Sequence, residues 1–213
     1  MGIATVFHTI WFYFNYLRSF PVYLCVRTSQ HRACICEDVK VWWENCSGMV
    51  EIDCARKAKH LLPKLNWLLI YKQEFRNLLI YRLKQPPKSL KSYLHFVVTR
   101  LFWKPMDSLY LPCEEIGPGF FIQHGFASMI GPRKMGAHCF VNQQVTIGYK
   151  GYDAPVLEDY VIVHSGAQVL GGITLHKNCE VGAGAVVVHD VPENAIVAGV
   201  PAKVIKYRPP VNS

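Results

Sequence analysis

The stretch LEDYVIVHSGAQVLGGITLHKNCEVGAGAVV, residues 157–187, decides the fold. Leu157, Val163, Val169, Leu175, Val181 and Val187 recur at every sixth position without a break. A helix repeats every ~3.6 residues and a strand every ~2, so neither alone carries this period. A parallel β-helix of hexapeptide repeats does. Each hexapeptide supplies one short strand and one corner, three make a coil, and the aliphatic side chain points inward onto its counterpart in the next coil. Small residues such as those of VGAGAV, 181–186, suit tight corners. Upstream, Met135, Val141 and Ile147 keep the same spacing, as do Ile116 and Ile122. One extra residue separates those two blocks, and residues 148–156 form a longer excursion.

The first half has a different period. From Lys64 to Lys84, Leu65, Leu68, Leu69, Phe75, Leu78, Leu79 and Leu83 fit one helix, ended by Pro86-Pro87. A second helix is expected from Ser89, with Leu90, Leu94, Val97, Val98 and Leu101 on one apolar face, until Pro105. The basic residues Lys84, Lys88, Lys91, Arg100 and Lys104 read as its solvated side. Residues 3–17, IATVFHTIWFYFNYL, are apolar and aromatic but shorter than the ~20 residues that span a bilayer. The simplest reading is a packed N-terminal helix. The sharper one is an interfacial helix, with Arg18, Arg27 and Arg32 beside an anionic surface.

The 213 residues are 51% hydrophobic and 18% charged, which excludes a disordered chain. The net charge of +8 suits a polyanionic ligand, a membrane surface or nucleic acid without choosing among them. No nucleic-acid module accompanies the charge, so no nucleic-acid partner is expected. Five of the eight cysteines fall at 25, 34, 36, 46 and 54. No secretory signal is evident, so reduced cytoplasmic thiols are expected, with peripheral contact at the inner membrane face as an extension. Cys34, Cys36, Cys46, Cys54 and His31 lack paired structural zinc spacing, and no metal is expected.

Four segments carry a resemblance: GFFIQHGFASMIG (119–131), VNQQVTIG (141–148), SGAQVLGGITL (165–175) and VGAGAVVVHDVPENAIVAGVPAKVI (181–205). They resemble the serine acetyltransferase-like branch of the hexapeptide acyltransferases over roughly residues 110–206. VNQQVTIG and GVPAKVI look particularly like relatives that acetylate sugar hydroxyls. The resemblance implies a mainly β chain. A left-handed parallel β-helix would occupy 109–206, after an α-helical region over 1–108 and before a tail over 207–213. The helical region would cap one end and the tail leave the other. It also implies acetyl-CoA as donor, a homotrimer with active sites between subunits, and a dimer of trimers as a further assembly.

The same match makes His124 the general base, because an acceptor hydroxyl is a weak nucleophile until its proton is taken. Gln123 and Asp153 would face the acceptor. Gly148, Ser165, Gly166, Ala183 and Gly184 would hold the donor's pantetheine arm, with Gly199, Pro201 and Lys203 of GVPAK closing over it. Three departures bear on the acceptor. The acidic residue fifteen positions before the histidine is Leu109 here, with Asp107, Glu114 and Glu115 as stand-ins. The aspartate before the histidine is Gln123, and the second histidine with its arginine is replaced within GYDAPVL, 151–157. The expected activity is therefore acetyl transfer to a sugar or polysaccharide precursor, with serine O-acetylation as the alternative. A non-catalytic β-helix scaffold is the reading of another class. A γ-carbonic anhydrase-type metal site is not expected, because His164, His176 and His189 lie twelve and thirteen apart.

Overall fold

The computed structural model describes residues 3–46, 48, 59–86 and 89–210. Cys54 and Lys88 lie outside them. The chain divides into two compact units, Met1–Met106 and Asp107–Ser213.

Among the described residues the first unit has six helices: α1 (Ile3–Phe14), α2 (Tyr16–Thr28), α3 (Arg32–Cys46), α4 (Leu61–Tyr71), α5 (Gln73–Lys84) and α6 (Leu90–Phe102). Trp42, Phe75, Leu65, Leu68, Leu78 and Leu79 form its buried centre, with Trp42 and Phe75 edge to face at 5.4 Å. A fully buried pair crosses it: Arg82 donates from Nε and Nη2 to Asp38 at 2.8 and 3.1 Å. Burial pulls the Arg82 pKa down, but the hydrogen bond and charge of Asp38 outweigh it and raise the value.

The helix expected over 64–84 is two helices, broken at Lys72 with φ −122° and ψ 94°. Arg76 explains the break. Its guanidinium donates to the carbonyls of Leu69 (2.7 Å) and Ile70 (2.9 Å), which a helix end leaves without partners. The expected start of α6 is confirmed by a capping box between Ser89 and Ser92. Its orientation is not as expected: the buried residues are His95 and Thr99, and the apolar face is exposed. Periodicity locates a stripe but not the side of the bundle it faces. The N-terminal helix differs from the packed reading as well. Phe12 is buried, while Phe7, Ile10, Trp11 and Phe14 are exposed.

The second unit is a parallel β-solenoid of five coils. Its short strands visit three sheets in rotation. Sheet I is β1 (Leu109–Tyr110), β4 (Ser128–Ile130), β7 (Thr146–Gly148), β10 (Gln168–Leu170) and β13 (Val186–Val187). Sheet II is β2 (Glu115–Ile116), β5 (Lys134–Met135), β8 (Val156–Leu157) and β11 (Thr174–Leu175). Sheet III is β3 (Phe121–Ile122), β6 (Phe140–Val141), β9 (Ile162–Val163), β12 (Glu180–Val181) and β14 (Ala195–Ala198), plus the antiparallel β15 (Lys203–Tyr207).

The register stacks Met135 on Leu157, Val141 on Val163 and Ile147 on Val169, as the period of six requires. Most of these side chains are fully removed from water, which supplies the stabilisation. The corners between sheets II and III turn through left-handed residues at Gly119, His138, Tyr160, Asn178 and Asn194. Asn tolerates that backbone well, and the His138 ring stacks on Tyr160 at 5.2 Å.

The segment after Ile205 does not leave the solenoid. Through β15, Arg208 N–H donating to Asn194 O and Asn178 Nδ2 donating to Pro209 O, it folds back over the last coil. That contact covers a sheet edge which would otherwise be open.

The seven described cysteines are free thiols, and no group of metal-ligating side chains able to hold an ion occurs among the described residues. Cys139 and Cys179 are buried inside the coils, where desolvation pushes both pKa values up to about 12. They stay protonated at neutral pH, so iodoacetamide at pH 8 is expected to spare both in the folded chain and modify both in denaturant. Peptide mass mapping reads the difference. Ile147→Ala is expected to cost about 2–5 kcal/mol of unfolding free energy by denaturant titration. Thr146→Ala, on the outer face of the same strand, is expected to cost under about 1 kcal/mol.

Candidate active site

His124 lies at the edge between sheets III and I, directly after β3. At this edge Val141 to Ile147, Val163 to Val169 and Val181 to Val187 each span six residues, but Ile122 to Ile130 spans eight. The lengthened corner adds two residues and the next interval, Ile130 to Met135, is one short, which together give the one-residue shift between the upstream repeat blocks. It turns through two left-handed residues, His124 (φ 56°) and Ala127 (φ 53°), with Phe126 N–H donating to His124 O at 2.6 Å. The imidazole is thereby held out on an exposed bulge instead of lying flush with the coil.

Above it, the residue that follows each inward aliphatic of sheet III stacks from coil to coil: Gln123, Asn142, His164 and Gly182. The first three form a hydrogen-bonded ladder. Asn142 Nδ2 donates to Gln123 Oε1 at 2.9 Å, and His164 Nδ1 lies 3.3 Å from Asn142 Oδ1. His164 Nε2 meets Glu180 Oε1 at 2.8 Å, and Arg208 Nε lies 3.6 Å from Glu180 Oε2. Both His164 nitrogens are thus engaged, which leaves the ring a structural part and not a free base. The ladder fixes Gln123, the residue that precedes His124.

Ser165, Gly166, Ala183 and Gly184 lie on this same edge. Gly166 (φ 71°) and Gly184 (φ 66°) are left-handed, and a Cβ added at Gly184 would meet open space. The edge is a smooth backbone rail, suited to an extended chain carrying amides. Gly199 O accepts from Val186 N–H, and Ala202 N–H donates to Val186 O, so the segment holding Gly199 and Pro201 crosses the top of the rail. Lys203 follows, exposed. Gly148 is not on the rail. It ends β7, where its carbonyl accepts from Gly171 N–H at the edge between sheets I and II.

Asp153 is also on that other edge, in a tight hairpin in which Lys150 N–H donates to Asp153 O at 3.0 Å. One chain therefore does not bring Asp153 to His124. Asp153 instead lines a pocket of roughly 340 Å³ with Glu114, Arg133, Tyr149, Tyr152 and Thr174. Arg133 has no signal of its own in the sequence: it lies in the coil below the 148–156 excursion, and only the stacking of the coils brings it to the pocket. Of the stand-ins for an orienting acid, Glu114 lines this pocket and Glu115 pairs with Lys134 at 3.2 Å. Asp107 is one coil beneath the His124 corner, since Leu109 pairs with Ser128 and Ser128 N–H donates to Ser108 O.

Sequence comparison gives this geometry relatives. A serine acetyltransferase of Bacillus licheniformis is 42% identical over 99 residues, covering 44% of this chain and 46% of that protein. A serine acetyltransferase of Bacillus subtilis is 40% identical over 99 residues, covering 44% of this chain and 46% of that protein. The Haemophilus influenzae serine acetyltransferase is 30% identical over 171 residues, 72% of this chain and 62% of that one. Among solved structures, a serine acetyltransferase from Brucella abortus strain S19 in complex with coenzyme A superposes with a TM-score of 0.60. It is 19% identical and covers 86% of this chain and 71% of that one, a likeness of fold. The chain spans less than half the length of the Bacillus relatives. No family model matches the chain.

The ladder yields a stability test. Asn142→Leu keeps the volume but strands Gln123 Oε1 and His164 Nδ1. Both groups are part-exposed, so a loss of about 0.5–1.5 kcal/mol in denaturant unfolding is expected.

Proposed function

We propose that this chain is an acetyl-CoA-dependent O-acetyltransferase with serine as acceptor. The observation that carries the chemistry is the lengthened corner that holds His124 out at the foot of the Ser165–Gly184 rail. The donor's pantetheine arm lies along the rail, its amides meeting backbone at small-residue corners. The crossing segment at Gly199 and Pro201 covers it, and Lys203 lies toward phosphate. His124 takes the proton from the acceptor hydroxyl as that oxygen attacks the thioester carbonyl. The tetrahedral intermediate collapses, the C–S bond breaks, and the proton passes from His124 to the departing thiolate. We assign the orienting acid to Asp107, one coil beneath this corner.

Three observations bear on the acceptor and the assembly. The pocket between sheets I and II joins a guanidinium, Arg133, to two carboxylates, Asp153 and Glu114. That pattern complements an amino acid's carboxylate and ammonium. The relatives' names favour serine over the sugar hydroxyl that the motifs suggested. Because His124 and this pocket occupy different edges of one solenoid, a cyclic trimer that sets one chain's His124 edge against its neighbour's pocket edge completes the site. The second reading, a sugar hydroxyl, is favoured by the neutral Gln123–Asn142 pair beside His124, which offers a serine ammonium no charge.

The test is thioester cleavage with acetyl-CoA and, in turn, L-serine and a panel of free and nucleotide-linked sugars. Serine-dependent release of coenzyme A is expected, falling by about 10²–10⁴ in His124→Ala. Arg133→Ala is expected to raise KM for serine at least about tenfold with a smaller change in kcat. Turnover with a sugar and not with serine gives the second reading. Equal rates in wild type and His124→Ala remove His124 from the chemistry.

A further inference from the structure

Helix α6 is built inside out. Its buried residues are His95 and Thr99, while Leu90, Leu94, Val97 and Leu101 are 76, 52, 39 and 76% exposed. These four fall at i, i+4, i+7 and i+11, a single stripe along the helix. α2 packs against α6: Arg18 Nη2 donates to Phe102 O at 2.6 Å, and Thr28 Oγ1 meets His95 Nε2 at 3.1 Å. α2 also presents a stripe, Leu17, Phe20 and Leu24, at i, i+3 and i+7. The seam between the two helices is partly polar and their outer faces are apolar, the reverse of a helix pair in water. Exposed apolar surface on this scale marks a place where something else docks.

Charge selects the occupant. Residues 1–106 contain sixteen Lys and Arg against six Asp and Glu, whereas residues 107–213 contain seven against nine. The chain's net positive charge therefore resides entirely in the helical unit. Neither α1, α2 nor α6 contains an acidic residue, and between Glu74 and Asp107 there are seven basic residues and no acidic one. Lys91 and Arg100 are exposed on the two flanks of the α6 stripe, where their aliphatic stems can lie along an apolar surface with the charges outside it. A second copy docked through these helices would set acid-free cationic surfaces against each other. An anionic lipid surface satisfies both properties: acyl chains take the leucines and aromatics, and headgroups take the cations.

We propose that the helical unit seats on the surface of anionic lipid bilayers through the α6 and α2 stripes. Among the described residues no helix is long and apolar enough to cross a membrane, and the proposed seat lies in the interface plane. The inference is independent of acetyl transfer, so its test uses no activity. The full chain is sedimented with phosphatidylcholine vesicles and with vesicles containing one third phosphatidylglycerol, at low and high salt. Binding to the anionic vesicles is expected, weakened by salt and absent on the neutral ones. Leu94→Gln with Leu101→Gln, and separately Lys91→Glu with Arg100→Glu, are each expected to weaken it at least about tenfold. Circular dichroism and thermal unfolding verify that these surface variants remain folded. Wild type that ignores anionic vesicles, or variants that bind as wild type does, overturns the proposal. So does a drop in sedimenting mass of the leucine variant with no vesicle binding by wild type, which assigns the stripes to a second copy.

Discussion

The solenoid depends on one constraint: every backbone step between coils must place an aliphatic side chain over the one below while its N–H meets the next coil's carbonyl. Val141, Val163 and Val181 satisfy both, and so do Ile147, Val169 and Val187. The inward side chains leave water, and the parallel ladders pair the backbone that accompanies them. A coil cannot change length without losing its stack, unless the added residues are confined to a corner. The features proposed for the chemistry accordingly lie where the period fails. The eight-residue interval from Ile122 to Ile130 puts His124 on a bulge, and the excursion at 148–156 builds the pocket around Asp153.

The corners then divide the work. Between sheets II and III, left-handed His138, Tyr160, Asn178 and Asn194 serve the fold. Between sheets III and I, the polar ladder from Gln123 to Glu180 stiffens one side of the rail while glycine and alanine keep the other side low. Glycine at 166 and 184 leaves peptide groups uncovered at little cost, since the ladders on either side already hold the coils in register. The helical unit follows a different principle. Its buried Arg82–Asp38 pair and Trp42–Phe75 contact hold a core, and its cations and outward apolar stripes face elsewhere.

Much of this was legible in the sequence. The period of six specified the solenoid, and the resemblance picked out Ser165, Gly166, Ala183 and Gly184, which share one edge, and Gly148, which lies on another. Three things were not legible. The 3.6-residue pattern of α6 marked its apolar face but not that the face points outward, because a stripe has the same spacing against a core or a membrane. The break at Lys72 depends on Arg76 reaching two carbonyls, a tertiary contact with no local signature. Arg133 and Asp153 line one pocket although they lie twenty residues apart, and linear spacing does not report which edge of the prism each occupies.

The central claim is that the III–I edge is the donor's rail, and amide hydrogen exchange with and without coenzyme A tests it most directly. The account expects added protection in segments covering 123–127, 164–167, 182–185 and 199–203, with little change on the II–III corners at 138, 160, 178 and 194. Protection confined to the 149–155 loop, or none at saturating coenzyme A, would contradict it.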